Sequence, residues 1–116
     1  MGYTLGNPEQ RKRELLDELD RITGVLRALD VEKVVLFGSL ARGDVTSTSD
    51  IDLLVIQETD KGFFDRLDDM YSALRPCRAL DILVYTPQEA RSLAEGSSFV
   101  RRVLREGRVL YEKEPC

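Results

Sequence analysis

The sequence predicts an α+β fold, a small mixed sheet of three or four strands flanked by helices, and three observations predict it. Short β-branched runs occur at Val34–Phe37, Ile51–Ile56 and Ile82–Tyr85. Between and around them, apolar residues recur at helical spacing. Length and composition complete the case: 116 residues that are 42% apolar and 33% charged suffice for one domain with its own core, spanning residues 1–116.

The first element is a helix opened by Asn7 as N-cap, Pro8 at the first helical position and Glu9 in the acidic-favouring first turn. Leu15, Leu19, Ile22, Leu26 and Leu29, with Leu16 and Val25 beside them, trace one face to an end near Asp30. Arg11-Lys12-Arg13 reads as a solvated basic face.

Val34 to Phe37 then reads as a strand buried on both faces, ending at Gly38. A helical turn and a small polar loop follow, closing on Thr46-Ser47-Thr48-Ser49. Asp50 and Asp52 open the next strand, and the two-residue period of a strand points both carboxylates to one face. Leu54 and Ile56 continue that face, while Ile51, Leu53 and Val55 take the other.

An amphipathic helix follows from Asp60 to Leu74 on Phe63, Phe64, Leu67, Met70, Tyr71 and Leu74, with Asp65, Asp68 and Asp69 on its wet side. Arg75-Pro76 breaks it, and a strand from Ala79 to Tyr85 presents Asp81, Leu83 and Tyr85 on one face. Thr86-Pro87-Gln88-Glu89 is a capping box for a helix from Pro87 to Glu95. Gly96-Ser97-Ser98 bends the chain into another helical stretch ending near Gly107, and Val109-Leu110-Tyr111 forms a last short strand or extended tail. Pro115 and Cys116 are expected to fray.

Several function classes fall away on composition. The chain contains no histidine, which removes most zinc sites, any histidine base and any Ser-His-Asp triad. Net charge is −4 and the sequence pI about 4.9, against the basic footprint of a nucleic-acid grip. Cys77 and Cys116 offer one pair with no metal-knuckle spacing, so free thiols are expected. Met1 to Gln10 is mixed and polar rather than a signal peptide, and no apolar run approaches ~20 residues, so a cytoplasmic protein without a membrane span is expected.

Two carboxylates opening an apolar strand call for a positive partner, since unit charges ~4 Å apart interact by roughly 4 kcal/mol at an effective dielectric near 20. Either Asp50 is a turn residue and Asp52 pairs with an arginine, or the pair holds cations. Spacing bears on the choice: Gly38-Ser39, ten residues, then Asp50-x-Asp52. That pattern, within the string LFGSLARGD…SDIDLLV, resembles the nucleotidyltransferase superfamily that includes DNA polymerase β, and specifically its minimal, MNT-type branch, over roughly residues 31 to 86.

The resemblance implies two Mg²⁺ ions held by Asp50 and Asp52, a third carboxylate matching Asp81, and ATP held by the Gly38-Ser39 turn. Elementary chemistry agrees. A glycine lets backbone N–H groups approach phosphate oxygens, a serine adds a hydroxyl donor, and carboxylate oxygens suit Mg²⁺. An ordinary strand-ending turn is the competing reading of Gly38-Ser39. Arg42 lies near enough in sequence to reach phosphate or one of the acids, or else forms a surface ion pair. Leu40 stands where many relatives carry an aromatic or basic residue.

MNT-type proteins act as antitoxins of HEPN-domain ribonuclease toxins, so the resemblance implies transfer of AMP from ATP to a hydroxyl, expected to be a tyrosine's, of such a partner. A non-catalytic antitoxin that masks its partner mole for mole, and nucleotidyl transfer to a small molecule, remain alternatives.

Overall fold

A computed structural model describes residues 7–114; Pro115 and Cys116, with their expected fraying and the thiol of Cys116, lie outside the described residues. The elements are α1 (Pro8–Ala28), β1 (Lys33–Phe37), α2 (Gly38–Arg42), β2 (Ile51–Ile56), α3 (Phe63–Leu74), β3 (Leu80–Tyr85), α4 (Pro87–Gly96), α5 (Ser98–Glu106) and β4 (Arg108–Glu112). Local signals account for most boundaries. Asn7 accepts from the Gln10 amide at 2.7 Å, Thr86 and Glu89 close a reciprocal capping box, and Ser97 caps α5 through the Val100 amide.

The strands order as β3-β2-β1-β4. The pairing is mixed: α3 carries the chain back to lay β3 parallel to β2, the connection through α2 lays β2 antiparallel to β1, and β4, arriving after α4 and α5, pairs antiparallel with β1 on its other edge. Each strand face has its own core. Val34, Leu36, Ile51, Leu53, Val55, Ile82 and Val84 pack with α1 and α3, while Val35 and Leu54 pack with Val100 and Val103 of α5. Burying each such side chain contributes roughly 1.5–3 kcal/mol, so the alternation fixes the register of β2 and with it the face on which Asp52 lies.

Two helices depart from the expected stripes. Leu16 is exposed, and buried Glu18 joins the covered side of α1 instead. Glu18 takes a bidentate bond from Arg21 (2.8 and 2.9 Å) and accepts the Cys77 amide, and these contacts hold its carboxyl below its ordinary pKa. That cluster fastens the loop leading into β3. On α3, Phe64 is exposed, one position off the face of Phe63, Leu67, Met70 and Leu74. Arg66 takes the inward place, its charge met by Glu89 (2.6 and 3.2 Å) and the carbonyls of Lys61 and Val84 (2.7 and 3.2 Å). Asp65, Asp68 and Asp69 face water as expected.

Gly107 sets how closely α5 sits on the sheet. A Cβ there would meet Val35 Cγ1 at 2.4 Å, the Val103 carbonyl at 2.5 Å and the Leu36 carbonyl at 3.0 Å, and two of these are backbone atoms. Gly107→Ala should therefore lower stability by about 1–3 kcal/mol, the usual cost of overpacking, as read by denaturant melts. A melt unchanged from the parent would mean that α5 can lift without loss.

Candidate active site

The β1 strand ends at Gly38, whose φ of +77° is a conformation that only glycine adopts without strain. Close approach is the second reason for glycine: a Cβ at this position would lie 2.1 Å from Asp52 Oδ2. The bare Cα of the turn therefore rests on the Asp52 carboxylate.

Strand register supplies the neighbours. Asp52 pairs across β1 with Phe37 and across β3 with Asp81, so Phe37, Asp52 and Asp81 stand in one row on one face of the sheet. The carboxyl of Asp52 is pushed up to about 6, by burial first, then by the charges of Asp81 and Asp50 and a hydrogen bond with Asp81, against a smaller opposing pull from Arg42. Like charges are thus held together without full compensation.

Asp50 lies one residue ahead of β2, and its anchoring is a feature that sequence reading missed. Arg11 Nε donates to the Ser49 carbonyl at 2.9 Å, and Arg11 Nη2 stands 3.9 Å from Asp50 Oδ1. The expectation of a solvated Arg11 is corrected; Lys12 and Arg13 are exposed as expected. A signal was available, because Arg11 precedes Leu15 by four residues and so prolongs the covered stripe of α1 by one turn.

Ser49 is the second missed residue. It is buried, and its Oγ accepts from Ser39 Oγ at 2.9 Å and from the Thr46 amide at 2.8 Å. The Ser39 hydroxyl thereby ties the Gly-Ser turn to the residue before Asp50. Leu40, on the same short helix, is buried in the core on the α1 side, which accounts for an apolar residue there. Arg42 pairs with Asp44 at 3.3 Å on the surface while also lining a cleft with Gly38 and Asp52.

That cleft has a volume of about 390 Å³, within the range of small-molecule sites, and runs between α2 and α5. A larger hollow of about 510 Å³ lies beside Phe63, Tyr85 and Glu89, at the opposite end of β3 from Asp81, and contains none of the three aspartates.

Among the described residues, no three His, Cys, Asp or Glu side chains close into a finished metal cage. The donor set is instead an open group of carboxylates whose mutual repulsion raises Asp52, which a divalent cation would relieve. Such a set fits Mg²⁺, which binds through one or two carboxylates and completes its shell with water and substrate phosphates. Chemically, the arrangement can hold cations and a phosphate chain beside a carboxylate able to take a proton. No helix among the described residues is long and apolar enough to cross a membrane.

Three comparisons with known proteins bear on the family of this chain. The family described as "Polymerase beta, Nucleotidyltransferase" matches residues 20–115. A Methanocaldococcus jannaschii protein named "Putative protein adenylyltransferase" is 40% identical over 82 residues, covering 70% of this chain and 79% of its own. A crystal structure described as "a putative nucleotidyltransferase from Sulfolobus solfataricus" superposes with a TM-score of 0.64 at 25% identity, over 97% of this chain and 93% of that one.

Proposed function

Because this chain belongs to the polymerase beta nucleotidyltransferase family, we propose that it transfers AMP from ATP to a tyrosyl hydroxyl of a HEPN-domain ribonuclease toxin and so acts as the toxin's antitoxin in the cytoplasm. The observation that carries the transfer chemistry is the Asp52 carboxylate, seated against the Gly38 turn and flanked by Asp50 and Asp81. The likeness to a protein named as an adenylyltransferase supports AMP as the group moved and a protein as the acceptor.

In this reading Asp50 and Asp52 would hold two Mg²⁺ ions, with Asp81 as the third ligand. Bound there, Mg²⁺ would neutralise the triphosphate and stabilise the charge that builds on the leaving oxygens. Gly38 lets the backbone close on the β- and γ-phosphates, and Arg42 adds a positive charge at the same rim. Ser39 holds the turn in register through Ser49. Asp81, exposed at the open edge of the sheet, takes the proton of the incoming hydroxyl. The new bond joins that oxygen to the α-phosphorus, the bond to the β-phosphate bridge breaks, and pyrophosphate leaves. Because β3 is an edge strand, a protein acceptor can reach Asp81 without displacing any part of the sheet.

A catalytic amount of this chain, with ATP and Mg²⁺, should inactivate a HEPN toxin encoded beside it, and mass spectrometry should find adenylate on the toxin. Inactivation should persist after the chain is removed, while the Asp50→Asn/Asp52→Asn double variant should bind the toxin and leave it unmodified. If protection instead requires equimolar chain, needs no ATP and leaves no adenylate, the chain is a stoichiometric mask.

A further inference from the structure

Resting on the nucleotidyl-transfer reading, we propose that α5 is the second wall of the nucleotide site, with Arg102 meeting the phosphates and Phe99 bearing on the base. The spacing of α5 supports it: Phe99, Arg102, Val103 and Glu106 fall at i, i+3, i+4 and i+7, a single helical face, and all four line the cleft shared with Gly38 and Asp52. Val103 is buried against the sheet and Gly107 brings the end of the helix down onto β1, so this face is fixed beside the carboxylates.

The two residues differ in what they offer. Phe99 is 51% exposed, yet its ring meets Phe37 edge-on at 5.7 Å and 82°, and Phe37 is the strand neighbour of Asp52. One side of the ring is thus anchored in the row that carries the acids, leaving apolar area for a flat heterocycle. Arg102 forms no ion pair among the described residues, whereas Arg42 is paired with Asp44 and Arg105 with Glu106 at 3.7 Å. Residues 98–108 carry four arginines against one glutamate, in a chain whose net charge is −4. A triphosphate approaching three aspartates is repelled unless cations meet it, and Arg102 is the arginine that α5 places in the cleft, beside Arg42 of α2.

The test is equilibrium binding with Mg²⁺, using a fluorescent ATP analogue and displacing it with ATP or with inorganic tripolyphosphate. Arg102→Gln should weaken both competitors by about tenfold or more, the scale of a lost charge-assisted hydrogen bond. Phe99→Leu should weaken ATP by about fivefold or more and leave tripolyphosphate unchanged, since only the nucleoside stacks. Arg101→Gln, an exposed neighbour outside the cleft, should stay within about twofold of the parent, which separates a specific contact from general helix charge. Circular dichroism establishes that each variant is folded. Parent-like affinities in both Arg102→Gln and Phe99→Leu, or an equal loss in Arg101→Gln, overturn the assignment of α5 while leaving nucleotidyl transfer standing. A parent chain that binds no ATP overturns both.

Discussion

Replacing Asp52 by asparagine should lower nucleotidyl transfer by about a thousandfold and, at neutral pH without Mg²⁺, raise the melting temperature. The rate loss follows from removing a central cation ligand, because charge stabilisation worth several kcal/mol is lost at about 1.4 kcal/mol per tenfold. The stability gain follows from the carboxyl standing at about 6 in the fold against an ordinary 3.8. Water screens this half-buried carboxylate, so ionised Asp52 costs the metal-free fold about 1–2 kcal/mol, less than its shift would give at full burial, and the carboxamide retains part of that.

The sign is that of a raised acid. Below pH ~4, Asp52 is protonated folded or unfolded and its own share of the parent's stability is fully present; as pH rises through about 6 the folded form must ionise and that share is lost. Melts at pH 4, 6 and 8 should show the variant's advantage growing with pH, and Mg²⁺ with ATP should erase it by stabilising the ionised parent. A variant that melts below the parent at pH 8 would make Asp52 a structural ion-pair partner, with Arg42 the cation nearest to hand.

Gly38→Ala should lower both stability and activity. The φ of +77° costs a residue with a Cβ about 1–2 kcal/mol, and the collision at 2.1 Å with Asp52 Oδ2 adds an overpacking term of about 1–3 kcal/mol. Domains of this size are stable by only about 5–15 kcal/mol, so the loss should be plain in a denaturant melt. Transfer should fall by about a hundredfold, since either the turn or the carboxylate must move and reacting groups tolerate displacements well under ~1 Å. A double-mutant cycle separates the causes: with Asp52→Ala already present, the collision is gone and Gly38→Ala should cost only the backbone term. An undiminished cost in that background would place the whole effect in the backbone.

Much of this was legible because its causes are local. Asn7-Pro8 and Thr86 to Glu89 are capping arrangements whose partners lie within three or four residues, so the helices they open begin where the sequence says. The alternation of Ile51 to Ile56 determined which face of the sheet receives Asp52, because reversing it would turn Ile51, Leu53 and Val55 to the acids and strip one core. The sequence also identified Gly38, Ser39, Asp50, Asp52 and Asp81 as one candidate group.

Tertiary structure alone decided how those residues meet. That Asp81 stands beside Asp52 depends on β3 lying parallel to β2 in a particular register, after a loop that the Glu18 cluster ties to α1. That Gly38 touches Asp52 depends on β1 pairing with β2, and that Arg11 reaches Asp50 depends on α1 crossing the same end of the sheet. The cleft needed α5 to return beside α2, more than fifty residues later, and Gly107 to admit it. A residue's own neighbours carry its backbone preference and its periodicity, but its distance to a distant side chain is set by packing, which only the folded chain contains.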